Sequence, residues 1–342
     1  MKLSVAYRPS VRPSASPFRL LDEHGQEVAW ANAFLDAKRM LQRSLRSLRA
    51  YAYDLLHFAR WAQSRSLSLA GITESAVEDY VRQQLDRQPP SAPPTINHRL
   101  GVVRAVYRFH YDRQIPGQSR FQRAYTTQSP LGYGRRRQAA AAGLRLTEPR
   151  RVIQPLGAEE VDKFWNSFHS FRDFALLGLM LMNGLRSCEV LALQLADLQL
   201  AEAQFRVLGK GNKQRLLPLS QDLIDALENY LCLERPPANS SALFVNLKGR
   251  SRGLPMTPAG LRSLFRYHRR GARIPQANPH RFRHTFGADM VRAGISLPAL
   301  QQLMGHAQIR TTMLYVQVAP RELWRQYRQA MEKRLKLRST KI

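Results

Sequence analysis

The sequence predicts a mainly α fold with a small β-sheet (α+β), divided between a helical amino-terminal domain and a mixed carboxy-terminal one. Three observations carry that prediction. Apolar residues recur at three- and four-residue steps over long segments, one short run alternates apolar and polar residues around a Gly/Asn turn, and an arginine-rich stretch separates two regions of different pattern. At 342 residues, 44% of them hydrophobic, the chain can bury two ordinary cores.

Taken in order, residues 1–24 hold Pro9, Pro13 and Pro17 among Ser and Arg without sustained periodicity, and read as a flexible arm. Residues 25–112 are helical in pattern. Leu48, Tyr51, Leu55, Phe58 and Ala62 mark one helix. Thr73 opens another that ends before Pro89 and Pro90, and a third runs from Thr95 to about Tyr111 with Leu100, Val103, Val106 or Tyr107, and His110 on one side. Residues 113–154 form a linker, in which nine arginines face a single acid, Glu148. Residues 155–320 mix helices near 158–168 and 171–182 with a strand pair near 204–219 and further helices. Residues 321–342 make a basic helix or tail, with eight Lys/Arg against two Glu and with Leu323, Tyr327, Ala330 and Met331 at helical steps. No internal repeat is visible.

Charge narrows the function. Fifty-three Lys and Arg against 25 Asp and Glu give +28, an excess that a small-molecule enzyme does not need and that points to a polyanion. Nucleic acid leads over an anionic membrane or an acidic protein, because the basic residues are spread through segments built to fold. Arg99 and Arg104 on the third helix, Arg135, Arg136 and Arg137 in the linker, and Lys213 are the candidate DNA contacts. The longest apolar run, Phe174 to Met182, is far short of the ~20 residues of a membrane span. The start lacks the apolar core of a signal peptide, so a soluble, cytoplasmic protein is expected. Cys188 and Cys232 stand apart, without disulfide or zinc-ligand spacing, and read as small buried residues; no metal or organic cofactor is called for.

Five features carry chemistry. The apolar segment from Phe174 breaks at Asn183 and Gly184, after which Arg186 precedes Ser187, an N-cap for a short helix bearing Glu189. A guanidinium beside a helix start suits phosphate, although a surface pair with Glu189 explains the same residues. Phe205 to Leu219 alternates about a turn with Lys210 at its tip; Gly211 follows that lysine, so it is no ATP-binding loop. Asn278 caps and Pro279 begins a helix that sets His280 and Arg283 one turn apart on one face, with His284 the better candidate for core packing. Pro298 starts a helix that Gly305 ends, with Leu300 and Leu303 inward and His306 just past it. On one continuous helix His306 and Tyr315, nine residues apart, would face opposite ways, so the break at Gly305 is required if both address one substrate.

Arg186, Lys210, His280 with Arg283, the Leu-Met-Gly305-His306 turn and Tyr315, in this order, resemble the tyrosine recombinase (phage integrase) family over about residues 155–320. The helical segment before them is similar to the family's core-binding domain. The resemblance implies two domains that clamp double-stranded DNA, and a site-specific recombinase that cuts and rejoins it without metal or ATP. Tyr315 would attack the phosphate, leaving a 3′-phosphotyrosyl bond. Arg186 and Arg283 would bind its non-bridging oxygens, His280 would act as base and Lys210 as acid, with Lys213 a rival for the last role. His306 would position the phosphate. It further implies a homo-oligomer, a tetrameric synapse passing through a Holliday junction, in which the tail docks on a neighbouring protomer. Integration or transposition of a mobile element and resolution of DNA multimers are both open. A type IB topoisomerase-like enzyme and a non-catalytic DNA-binding accessory protein are the alternatives.

Overall fold

Among the described residues, four helices make up most of the first of two units, Met1–Arg150, and helices around a three-stranded sheet make up most of the second, Arg151–Ile342. The computed structural model describes residues 2–9, 12–113, 115, 144–148, 154–209, 214–306 and 311–312. The mainly α architecture with small sheets is the one the periodicity predicts.

In the first unit, β1 (Ser4–Tyr7) and β2 (Phe18–Leu21) pair antiparallel, with Ser4 opposite Leu21 and Tyr7 opposite Phe18. Then come α1 (Ala29–Met40), α2 (Leu45–Ser64), α3 (Glu74–Asp86) and α4 (Pro93–Tyr111). Ser44 and Thr73 cap α2 and α3 by accepting the Ser47 and Ala76 N–H groups, which satisfies donors that a helix start leaves orphaned. Leu20, Phe34, Leu35, Leu55 and Val106 pack one cluster; Phe58, Trp61, Tyr80, Leu100 and Tyr107 pack the next.

The opening segment corrects an expectation. Read as a flexible arm, it is instead a hairpin packed on α1 and α2. Leu3 and Leu20 are buried, Asn32 holds the Leu20 backbone at both its N–H and its carbonyl, and the Arg60 guanidinium donates to the Leu3 carbonyl. Strands of four residues are too short to show a period, and the prolines between them dominate the local pattern.

The second unit contains α5 (Ala158–Trp165), α6 (Phe171–Leu181), the single turn α7 (Ser187–Val190), β3 (Leu198–Gln199), β4 (Gln204–Leu208) and β5 (Gln214–Pro218). It continues with α8 (Gln221–Asn229), α9 (Pro258–Gly271), α10 (Pro279–Arg292) and α11 (Leu297–Met304). The sheet is antiparallel in the order β3-β4-β5, with Phe205 opposite Leu217 and Leu208 opposite Gln214. Phe205, Val207 and Leu217 face a core built with Phe164, Leu176, Leu179 and Phe282. The two-residue β3 is the part of the sheet that alternation could not reveal.

Two local readings change. Arg186, not Ser187, occupies the cap position of α7, and the Glu189 carboxylate reaches back to its N–H at 2.9 Å. Cys188 and Cys232 are exposed rather than buried. Cys188 lies on the one-turn α7 beside the buried Glu189, and Cys232 lies on a widened turn after α8, so each sits on the outward side of its element. Among the described residues, no helix is long and apolar enough to cross a membrane.

Candidate active site

At φ +63°, Gly184 adopts the left-handed conformation that carries the chain from α6 towards α7. A Cβ there would stand 2.3 Å from the Phe286 ring. Gly184→Ala should therefore lose roughly 2–5 kcal/mol through backbone strain and overpacking. Denaturant titration measures this, and wild-type stability would contradict the packing.

The turn delivers Arg186 to the end of α11. Its Nη1 donates to Glu189 Oε1 at 2.9 Å and to the Met304 carbonyl at 3.3 Å, and its Nη2 to the Gly305 carbonyl at 3.3 Å. Arg283, one turn into α10, is 3% exposed; it donates through Nη2 to that same Met304 carbonyl at 2.7 Å and through Nη1 to the Gly184 carbonyl. Arg215 on β5 donates through Nε to the Leu303 carbonyl at 3.0 Å and through Nη1 and Nη2 to both oxygens of Glu189, at 3.2 and 3.0 Å. Three guanidiniums from three elements thus converge on the last turn of α11, where carbonyls lacking helical partners carry partial negative charge.

One buried carboxylate organises them. Glu189 is 5% exposed, pairs with Arg186 and Arg215, and lies 3.7 Å from Arg283 Nη1. Burial disfavours its charge, but the hydrogen bonds from Arg215 and the Arg186 N–H, with both cations, outweigh that and hold its pKa below the usual carboxylate range. Three cations against one anion leave the cluster positive. A group that enters it with negative oxygens is therefore stabilised, and Arg186, with its side chain 34% exposed, stands on the approachable side.

Three histidines border the cluster. Asn278 caps α10 by accepting the Arg281 N–H, and Pro279 opens that helix, as the sequence predicts. The His280 ring lies 5.6 Å from that of His284, which is half-buried. Lost solvation, with Arg283 and Arg186, lowers the His280 pKa, leaving the ring neutral and able to take a proton at neutral pH. Gly305, at φ +61°, caps α11 and turns the chain to His306, whose buried Nδ1 meets Thr312 Oγ1 at 2.9 Å. Leu300 is buried beneath this turn and Leu303 half-buried. His306 and His284 are both pushed down to about 4, first by burial; Arg283 contributes to both, with Arg186 acting on His306 and His280 on His284.

These shifts have a measurable consequence. The folded pKa lies below the unfolded value near 6.5, so the unfolded chain binds protons that the folded chain refuses. The corresponding stability is present above about pH 6.5 and is lost as pH falls towards the folded values. Thermal melts should drop between pH 7 and pH 5, before carboxylates titrate. A flat melting temperature over that interval would contradict the assigned environments.

Of the residues singled out in the sequence, Arg186, Arg283, His280 and His306 are brought to one place. Lys210, Lys213, Tyr315, Arg135, Arg136 and Arg137 lie outside the described residues. Arg99 and Arg104 are in the first unit and turn inward: Arg99 donates to Gln84 and His57, and Arg104 to the Leu144 carbonyl. Sequence reasoning missed Arg215, the central position of Glu189, and a basic face on α9. There Leu261, Phe265 and His268 are buried while Arg262, Arg266, Arg270 and Tyr267 are exposed, a period that the arginine count around Tyr267 could have exposed.

Comparison with known proteins decides the family. The model of the phage integrase family matches residues 155–322, and that of the phage integrase N-terminal SAM-like domain matches residues 34–114, so that together they cover most of the chain. The chain belongs to the phage integrase family, the tyrosine recombinases. The catalytic-domain match encloses Arg186, Lys210, His280, Arg283, His306 and Tyr315.

Among members of this family, a tyrosine recombinase XerD from Staphylococcus haemolyticus is 32% identical over 52% of this chain and 59% of its own length. A tyrosine recombinase XerC from Pelotomaculum thermopropionicum is 28% identical over 84% of this chain and 92% of its own. The chain spans 48–59% of the length of the Staphylococcus and Shewanella relatives it matches at 32–36% identity. The fold is shared with the XerH site-specific recombinase bound to a palindromic difH substrate, at TM-score 0.62 and 21% identity over 88% of this chain and 84% of that one. It is shared too with the Tn1549 transposon integrase in complex with transposon right end DNA, at TM-score 0.60 and 18% identity over 86% and 98%.

Proposed function

We propose that this chain is a site-specific DNA recombinase that cleaves and rejoins duplex DNA through Tyr315. The observation that carries the reading is the shared grip of Arg186 and Arg283 on the Met304 carbonyl, with His306 two residues beyond it. Phosphoryl transfer spreads negative charge over the non-bridging oxygens, and cations already held in place by Glu189 and four carbonyls need no reorganisation as that charge develops. Tyr315 forms the bond to phosphorus as the bond to the 5′-oxygen breaks. Its phenolic proton, with a pKa near ~10, passes to neutral His280, and the leaving 5′-oxygen takes a proton from Lys210, with Lys213 as the rival donor. Rejoining is the reverse attack by a 5′-hydroxyl, so the phosphotyrosine retains the bond energy and no nucleotide is spent.

DNA is held, on this reading, by a clamp of the two units, with the arginines of the linker and the exposed α9 face on phosphates. Such contacts fix register and release counterions, so binding falls with salt. Four protomers assemble in the synapse and exchange strands through a Holliday junction, in the cytoplasm. Transposition or integration of a mobile element and resolution of DNA multimers share this chemistry. Removing residues 321–342 should weaken synapsis more than single-site binding; equal losses in gel-shift and synapsis assays would count against docking between protomers.

The direct test is a nicked duplex carrying the site that the protein protects from nuclease, incubated with chelator and without ATP. An adduct that survives denaturant and disappears on proteolysis is expected. Its absence would overturn the reading.

A further inference from the structure

Beside the arginine cluster, His306 is held at its backbone and at its ring. Its N–H donates to the Gln301 carbonyl at 3.0 Å, and the Gln301 side-chain amide donates to the His306 carbonyl at 3.1 Å. The left-handed conformation of Gly305, at φ +61°, lets the chain make this turn. The ring is held from further along the chain. Its Nδ1 lies 2.9 Å from Oγ1 of Thr312, a side chain with 0% exposure, so solvent does not compete for that hydroxyl.

A hydroxyl can donate or accept, and the distance alone therefore allows either tautomer of the ring. The surrounding chemistry separates them. Burial, with Arg283 and Arg186 close by, keeps His306 neutral at neutral pH, and a neutral imidazole carries a single N–H. Phosphate oxygens only accept. With Nδ1 engaged by Thr312, Nε2 is the nitrogen that can address a phosphate. A proton on Nδ1 would be donated to Thr312 and leave Nε2 to offer a lone pair to an anion. A proton on Nε2 can be donated to the phosphate, provided that Nδ1 accepts from the Thr312 hydroxyl.

We propose that Thr312 is a positioning residue for strand transfer: its hydroxyl donates to His306 Nδ1 and so fixes the tautomer that presents Nε2–H to the phosphate. Its part in the reaction rests on the proposed function of the chain, whereas the tautomer is a property of the DNA-free protein. Long-range proton–nitrogen correlations of the His306 ring in the full chain, identified by their loss in His306→Ala, measure it. At neutral pH the wild-type ring should be protonated mainly on Nε2, and that fraction should fall in Thr312→Val, which keeps the shape and removes the hydroxyl. On the nicked duplex, adduct formation should slow at least about tenfold in Thr312→Val with duplex binding unchanged, as for a lost hydrogen bond to a charged group. Thr312→Ser should recover most of the rate. In His306→Ala, where no ring is left to orient, adding Thr312→Val should slow the reaction little further. A wild-type ring protonated mainly on Nδ1, an Nε2–H fraction undiminished in Thr312→Val, a Thr312→Val rate equal to that of an active wild type, or the same fold-loss in the His306→Ala background would overturn the proposal. Absence of the adduct from the wild type would instead overturn the strand-transfer reading, on which the tautomer does not depend.

Discussion

Replacing Glu189 with alanine is expected to remove about 3–5 kcal/mol of stability, because the change strips the partner from buried guanidiniums instead of replacing the whole cluster. Arg215 would lose the acceptor for both its terminal nitrogens, and Arg186 would lose the carboxylate that holds both its side chain and its backbone N–H. With those restraints gone, the guanidiniums repel one another around the end of α11, and DNA cleavage should fall with the stability. The experiment separates two readings that look identical in sequence. An exposed Arg186–Glu189 pair would be worth only about 0–1 kcal/mol. Chemical denaturation of Glu189→Ala therefore tells a surface pair from the buried hub, and a loss below about 1 kcal/mol would refute the hub. Glu189→Gln keeps the shape and removes the charge, so it should retain more stability than the alanine variant while still losing cleavage.

The comparison with Glu189 also shows what a sequence can and cannot display. An Arg and a Glu three residues apart on a helix start read as a solvated pair, because burial comes from α10, α11 and β5, which are distant in the chain. Arg215 had no local mark of function at all: it is one of many basic residues, and its partners are Glu189 and the Leu303 carbonyl. By contrast Asn278-Pro279 and Pro298 are local signals, and the helix starts they predict are present, with Asn278 as the predicted cap and Ser296 as a cap the structure adds. The amino-terminal hairpin escaped notice because its stability rests on Asn32, Asp36 and Arg60, contributed from further along the chain. The cysteines failed for a related reason: a default of burial for Cys ignores which side of a short turn it occupies. The candidate catalytic residues were singled out by order and spacing, and the structure adds how Arg186, Arg283 and His306 are held.

Under the proposed function, Tyr315→Phe has the largest expected effect on activity, since it deletes the atom that would form the bond to phosphorus and leaves the ring. Folding and DNA binding should be unchanged, and the covalent adduct should vanish, because the proposed reaction assigns the attack to that hydroxyl. The chain has twelve tyrosines, so loss of the adduct in one variant is best joined to direct location of the bond. Wild-type protein trapped on the nicked duplex, digested with nuclease and trypsin and sequenced by mass spectrometry, should carry its nucleotide on the peptide that contains Tyr315. A nucleotide on any other residue, or an undiminished adduct in Tyr315→Phe, would contradict the account.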